Sequence, residues 1–176
     1  MSRYTEILAR LETIFNEEYI AAVLRTIDDE PELPMDILTV VLEDLSSKGN
    51  EWLCEICFLP LKNAAEGIAY INVSITIKED MEEFVANQMA WLISRFNHYA
   101  PYGAFTIDET GKIFTYKLCC PVDDSGDDEK LFDAANLVVS HALDFAETAG
   151  NIMETVIEGE VSPNAALNYF LGRTVE

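Results

Sequence analysis

Residues 81–120 constrain the fold most strongly, because they join a helix-period stretch to a strand-period stretch across a single break. In the first part the apolar residues recur at spacings of three and four, which is typical of an amphipathic helix: Val85, Met89, Leu92, Phe96 and Tyr99. Ala100-Pro101 ends this helix, since the residue before a proline is disfavoured in the helical region. After the break, large apolar residues alternate on both sides of a turn at 108–111, which predicts a β-hairpin.

The hairpin stretch also carries a family resemblance. The segment FNHYAPYGAFTIDETGKIFTYKLCCPVD, with an acidic helix start after it, resembles the YbjN-like family, proposed bacterial sensory transduction regulators with the fold of type III secretion chaperones. Members of that family carry a helix that ends near an Asn, an aromatic-Gly corner, a strand ending in Asp, a tight turn, a return strand, a Pro and a long helix. The resemblance covers residues 68–150 and implies an α+β protein-binding module, and it transfers no catalytic residue to this chain.

The chain before residue 81 predicts a helix followed by strands. Residues 3–15 have helical spacing, whereas residues 17–27 fit either a second helix or a strand. Three strand signals follow, over residues 36–42, 51–59 and 68–77. The third alternates most clearly, with apolar residues on one face (Ala69, Ile71, Val73, Ile75, Ile77) and polar residues on the other (Asn72, Ser74, Thr76). One buried and one wetter face indicate an antiparallel sheet.

The chain after residue 120 predicts two helices. A long helix is expected from about 127 to 158, started by a capping box of Ser125 with Asp128. It should be bent or frayed near Gly150, which falls near the face opposite the apolar stripe. A short helix follows Ser162-Pro163. The segments together predict an α+β fold, an antiparallel sheet of about five strands with helices packed on one face, in the order α-(α)-β-β-β-α-β-β-α-α.

We expect a single α+β domain over residues 1–176, since a chain of this length can bury one core. It divides into an N-terminal helical extension (1–35), a core (36–150) and a C-terminal helical extension (151–176). The two extensions could fill the surface on which the resembling proteins dimerise or hold a client.

The net charge of −21 excludes several partner classes. With only 11 Lys and Arg residues the chain has no basic track for phosphate backbones, so we expect no nucleic-acid partner and no binding to anionic membranes. Partners with basic segments are favoured, although the acidic residues could simply keep the protein soluble. Neither a signal peptide nor an apolar run long enough to span a membrane is evident, which predicts a cytoplasmic protein.

The four cysteines, Cys54, Cys57, Cys119 and Cys120, raise the question of a redox or metal site. Both chemistries need sulfurs that converge, whereas residues at i and i+3 of a strand point to opposite faces, and so do adjacent residues. We therefore predict structural thiols, with no metal and no cofactor. The alternative is a shared Zn site, which would need Cys54 or Cys57 beside the strand at 112–120.

No catalytic constellation is present in the sequence. His98 and His141 lie on different predicted helices without a nucleophile motif around either, and no phosphate-binding glycine motif occurs. The acidic run at 123–129 fails the calcium-loop spacing, because Phe132 stands where the bidentate Glu is needed. We therefore expect a protein that is not an enzyme.

A candidate interface lies on the central helix. Phe84, Trp91 and His98 are seven residues apart and fall about 100° from the core stripe, and Ile93 lies on the opposite flank. Aromatic residues beside a core face often mark an interface, so these four residues are the predicted partner or dimer contact. The alternative is a wide buried face covered by the terminal helices.

The sequence as a whole favours a non-enzymatic protein-binding module of the YbjN-like type, chaperone-like or regulatory. Its partner would be a protein or a client segment, basic in character, with a homodimer as a further expectation. The alternative is a small-ligand-binding protein or an enzyme with a pocket between the sheet and the long helix. In that case Asn72, Thr76 and Tyr116 would converge inside the pocket.

Overall fold

The computed structural model describes residues 2–173, within which the chain forms four helices and six strands. The helices are α1 (Arg3–Glu17), α2 (Glu83–Phe96), α3 (Asp128–Ile157) and α4 (Pro163–Phe170). The strands are β1 (Ala22–Arg25), β2 (Ile37–Leu42), β3 (Trp52–Phe58), β4 (Ile68–Lys78), β5 (Ala104–Ile107) and β6 (Phe114–Asp123). Neighbouring strands are all antiparallel, in the order β1-β2-β3-β4-β6-β5. The predicted α+β class and antiparallel sheet are confirmed.

Within the described residues the sheet has one strand more than the sequence indicated, because residues 22–25 form β1. After α1, Tyr19 takes a φ of 63°, in the left-handed region, and the chain reverses. The side chain of Asn16 then accepts a hydrogen bond from the Ala22 N–H at 3.2 Å and donates one to the Ala22 carbonyl at 3.1 Å. Residues 17–27, which fitted either a helix or a strand, therefore contain a strand.

The two faces of the sheet differ as the alternation in β4 predicted. The apolar set from Ala69 to Ile77 is buried, and the residues between them are half-buried. The helices lie over the buried face, where residues from Ile7 in α1 to Ala166 in α4 form one hydrophobic cluster with the strands. We call the other side the open face, since no helix of the described chain packs on it.

The strand register arranges the centre of the open face in three rows that run across the sheet, and the pairs Arg25-Ile37, Tyr70-Pro121 and Ile68-Asp123 lie on the same face towards its ends. The first row is Val23-Thr39-Glu55-Ser74-Lys117-Ala104. The second is Val41-Leu53-Thr76-Thr115-Thr106. The third is Cys57-Asn72-Cys119.

α3 is a single helix, as predicted, but its start and its glycine differ from expectation. The N-cap is Asp127, whose carboxylate accepts from the Lys130 N–H at 3.0 Å, whereas the Ser125 hydroxyl bonds to Asp123, so no capping box forms. Gly150 is on the buried side of the helix, not the opposite one, and an added Cβ would lie 2.7 Å from Cη2 of Trp52. Glycine at this position lets α3 approach the indole closely.

The terminal helices belong to the same core as the sheet. The Arg3 guanidinium in α1 contacts the carboxylates of Asp124 and Asp128, each at 2.6 Å, and so ties α1 to the start of α3. The ring of Phe170 in α4 stacks on Phe96 of α2 with centroids 3.9 Å apart. The expected boundary between core and C-terminal extension, at residues 150–151, falls inside α3.

The turn between β5 and β6 is organised by Asp108. Its carboxylate accepts from the Thr110 hydroxyl at 2.5 Å and from the N–H groups of Lys112 and Ile113, both at 2.8 Å. The bond from Thr110, together with the backbone donors, lowers the pKa of Asp108 to about 2. Gly111 takes a φ of 75°, which completes the tight turn expected at 108–111.

Candidate functional site

The candidate interface on α2 is exposed at three of the four predicted positions. Phe84 is 70% exposed, Trp91 is 39% exposed, and His98 is exposed just beyond the helix end. Ile93 is different, because it is 9% exposed and belongs to the core cluster. It lies one turn before Phe96, on the side of α2 against which α4 packs. We therefore define the α2 flank as Phe84, Trp91 and His98.

The surroundings of the α2 flank combine aromatic and charged groups. The Arg95 guanidinium lies 5.5 Å from the Trp91 ring centroid, within the range of a cation–π contact. The rings of His98 and Tyr99 meet edge to face, with centroids 5.0 Å apart, and Tyr99 is 46% exposed. At the other end of the helix four exposed acidic residues come together in sequence: Glu79, Asp80, Glu82 and Glu83. The flank is therefore apolar in the middle and acidic at its amino end.

At both outer edges of the sheet, side chains form hydrogen bonds to backbone groups that no neighbouring strand of the described chain binds. At the β5 edge, Asn97 accepts from the Phe105 N–H and donates to the Phe105 carbonyl, both at 2.9 Å. At the β1 edge, Asn16 makes the same pair of bonds to Ala22, and Glu12 accepts from the backbone of β1 at 2.8 Å. An exposed strand edge normally offers these backbone groups to another strand. At these positions strand addition by a partner is blocked.

These edge contacts were not predicted from the sequence. The signal for one of them was present, since Asn16 interrupts the apolar pattern of α1, but its role depends on where the chain goes next. An asparagine side chain has one acceptor and one donor group, so it can satisfy both backbone groups of a single edge residue.

The cysteines are separated in the way that strand geometry predicted. Cys54 and Cys120 face the helices, whereas Cys57 and Cys119 face the open side. Asn72 lies between Cys57 and Cys119 in the register, so the two are two strand spacings apart, or about 9.6 Å, which exceeds the roughly 7 Å limit for a disulfide. Burial raises the pKa of the Cys57 and Cys119 thiols, which disfavours the reactive thiolate.

A shared metal site at the cysteines is not supported by this geometry. β4 lies between β3 and β6, so neither Cys54 nor Cys57 is beside the strand at 112–120. Among residues 2–173 no three His, Cys, Asp or Glu side chains come together as a metal-binding group.

The three polar residues expected in a pocket between sheet and long helix do not converge. Asn72 and Thr76 lie on the open face, whereas Tyr116 is fully buried on the helix side and donates to the Tyr102 carbonyl at 3.2 Å. A cavity lies elsewhere. It is a groove of about 740 Å³ between α3, α4 and the turn after β2, with walls that include Ile152, Val161 and Ala166.

A buried carboxylate holds the turn between β2 and β3 to α3. Glu154 is 2% exposed and accepts from Ser46 Oγ at 2.6 Å, Asn50 Nδ2 at 2.9 Å and Trp52 Nε1 at 3.1 Å. One turn earlier, Asn151 donates to the Leu45 carbonyl at 2.8 Å. All three donors to Glu154 are neutral, so this is a structural hydrogen-bond cluster and not an ion pair. Sequence periodicity could not predict this hydrogen-bond cluster, because an acidic residue within an apolar stripe is normally expected to face solvent.

No protein-family model matches this chain, and no curated protein is significantly similar to it. None of the helices in the described part of the chain has the length and apolar character needed to cross a membrane.

Proposed function

We propose that this protein is a non-enzymatic protein-binding module of the YbjN-like type, chaperone-like or regulatory, that holds a segment of another protein against the α2 flank. The observation that carries the proposal is the exposure of Phe84 and Trp91 on a helix whose other side is packed in the core. Large aromatic residues are enriched in interface hot spots, where they bury much area with little loss of side-chain freedom.

The order of elements also supports the YbjN-like assignment. Residues 37–157 run as three strands, α2, two strands and a long helix, which is the order that the resemblance implies. Because the outer backbone groups of β1 and β5 are occupied at Ala22 and Phe105, a partner segment would contact side chains of α2 and not extend the sheet.

The chemistry of the partner follows from charge. Four exposed acidic residues at 79–83 stand beside the aromatic flank, on a chain of net charge −21. A segment with basic residues next to apolar ones fits such a surface, and added salt should weaken its binding. The same charge disfavours nucleic acids and anionic membranes, and the proposal includes a cytoplasmic location.

The test compares proteins captured from native lysate by the wild type and by the double variant Phe84→Ala/Trp91→Ala. The matched control is Tyr19→Ala, which removes a 99% exposed aromatic residue beside β1, at the sheet edge opposite β5 and α2. The proposal expects a specific partner with the wild type and the control, lost with the double variant and weakened by salt. Equal capture by all three proteins would contradict it.

One observation favours a second function. The groove between α3 and α4 has a volume within the roughly 300–1,000 Å³ typical of small-ligand pockets, with mostly apolar walls. A small-ligand-binding protein would gain thermal stability from apolar compounds, and Ala165→Phe, which places a large side chain in the groove from a half-buried position, would abolish that gain. A compound screen that shifts no melting temperature would remove this alternative.

A further inference from the structure

We propose that two copies of this chain associate face to face through the open face of the sheet, around a twofold axis along β4 at Ser74. This inference concerns a surface different from the α2 flank and goes beyond the proposed function. It starts from the exposure of apolar side chains on the open face, where Leu53 is 36% exposed and Val41 is half-buried.

The centre of the open face carries few charges on a strongly acidic protein. In its three central rows, all of which the structure describes, Glu55 and Lys117 are the only charged residues, and Arg25 at the end of β1 and Asp123 at the end of β6 lie on the same face at its border. By contrast, the solvent side of α3 carries Glu129, Asp133, Asp144 and Glu147. Depletion of charged residues is the compositional feature that distinguishes the centre of an interface from the rest of a surface.

The two charges are placed as a twofold interface requires. Such an interface brings the same patch of both copies together, so the patch must complement itself. Glu55 and Lys117 are the direct cross-strand neighbours of Ser74, one on β3 and one on β6. A twofold axis along β4 at Ser74 lays each β3 over β6 of the other copy. Glu55 then faces the partner's Lys117, and Lys117 faces the partner's Glu55.

The size of the face agrees with a second copy as its occupant. In this arrangement β1 has no strand opposite it, and the five overlapping strands from β2 to β5 are about 19 Å across at about 4.8 Å per strand, whereas β4, with 11 residues, is about 35 Å long. Since the outer strands are shorter, the overlap is about 500 Å² per copy, or about 1,000 Å² in all, which is the small end of specific interfaces and fits a dimer that forms at high concentration. Two facing sheets about 10 Å apart form an ordinary sandwich.

The other surfaces suit self-association less well. Edge-to-edge pairing is blocked where Asn16 and Asn97 occupy the backbone of β1 and β5. Contact between helix layers would oppose acidic surfaces of like sign. In the face-to-face dimer the helix layers point outward, so both α2 flanks stay free. Because each copy carries a net charge of −21, the dimer should tighten as salt screens their mutual repulsion.

The experiment measures dimer affinity of the full chain by analytical ultracentrifugation, over a wide concentration range at low and high salt. The variants are Glu55→Lys, Lys117→Glu and the double exchange. Each single substitution opposes like charges at two symmetric places and should weaken the dimer roughly tenfold or more, whereas the double exchange should restore it. Glu109→Lys and Lys130→Glu make the same charge changes at exposed positions outside the open face and should leave the dimer intact.

A wild type that stays monomeric at every concentration and salt would overturn the proposal. Folded single variants that dimerise like the wild type, or a folded double exchange that stays monomeric, would overturn the Glu55–Lys117 pairing and with it the proposed axis. Phe84→Ala/Trp91→Ala is expected to dimerise normally, so failure of the dimer and failure of partner binding are distinguished. Loss of the dimer in that variant would place the interface on α2 and contradict the open face.

Discussion

Replacement of Glu154 by alanine should strongly destabilise the fold, because three side chains share this carboxylate as their acceptor. The change leaves Ser46, Asn50 and Trp52 without that acceptor, and the Trp52 indole is fully buried. Each buried donor left unsatisfied costs roughly 1–3 kcal/mol, and Asn50 regains water because it is only half-buried. We therefore expect a loss of about 4 kcal/mol.

Glutamine at the same position should lower the free energy of unfolding much less. Its carbonyl oxygen can replace Oε1 and keep the bonds from Asn50 and Trp52, and the Ser46 hydroxyl can accept from the amide nitrogen. Only the charge-assisted part of the bonds is lost, so about 1 kcal/mol is expected. Glu147→Ala, two turns earlier and exposed, is the matched control and should change stability by less than about 0.5 kcal/mol.

The assay is urea unfolding of the wild type and the three variants, with the slope compared to check that the transition stays two-state. For a domain of this size about 4 kcal/mol corresponds to a fall in Tm of roughly 8–16 °C. If Glu154→Ala were as stable as Glu147→Ala, the hydrogen-bond cluster would not stabilise the fold. If Glu154→Gln were as unstable as Glu154→Ala, charge and not donor satisfaction would be the cause.

Three further predictions concern other parts of the chain. Gly150→Ala gains about 1 kcal/mol of helix propensity but forces a Cβ against Trp52, so we expect a net loss of about 1–2 kcal/mol in urea unfolding; a more stable variant would contradict the close packing. Asn97→Ala frees the β5 edge and should cost about 1–2 kcal/mol and promote aggregation seen by light scattering, whereas the exposed Asn87→Ala should do neither; identical behaviour would refute the edge role. The folded pKa of Asp108, about 2, lies below its usual value, so its stabilising effect is present above about pH 4 and is lost as the pH falls towards 2. Asp108→Asn should flatten the fall of stability over that window, and an unchanged pH profile would contradict this.

The fold was predictable where periodicity reports burial directly. The alternation from Ala69 to Ile77 identifies one buried face, which is confirmed. Of the stripe predicted for α2, Met89, Leu92 and Phe96 are buried and Val85 is half-buried, whereas Tyr99 lies beyond the end of the helix and is 46% exposed. β1 was not decided by its sequence, because four residues are too few to show a period. It is a strand because it pairs with β2 after the chain reverses, while Asn16 at the end of α1 bonds its outer edge at Ala22.

The burial of individual residues differed from expectation on helices that other elements cover from more than one side. α3 lies against the sheet while α1 and α4 pack beside it, so its buried stripe is wide enough to include Gly150. α4 covers the side of α2 that carries Ile93. A stripe in the sequence gives the centre of the buried face but not its width, which depends on tertiary neighbours.

The exposure of the α2 flank could be predicted from the sequence, whereas the polar contacts of the core and of the sheet edge could not. The seven-residue spacing of Phe84, Trp91 and His98 places them on one flank, and all three are exposed. Glu154 and Asn97 were not recognised, since their partners are distant in sequence or become neighbours only after the turn forms.

The most direct test of the central claim, that the α2 flank binds a protein partner, is site-specific photo-crosslinking in cells. A photoreactive phenylalanine derivative would replace Trp91 in one variant and Tyr19 in the other, since both positions are exposed and lie at different ends of the sheet. The account predicts a covalent adduct with a distinct protein from position 91 and not from position 19. No adduct at position 91, or the same adducts from both positions, would contradict it.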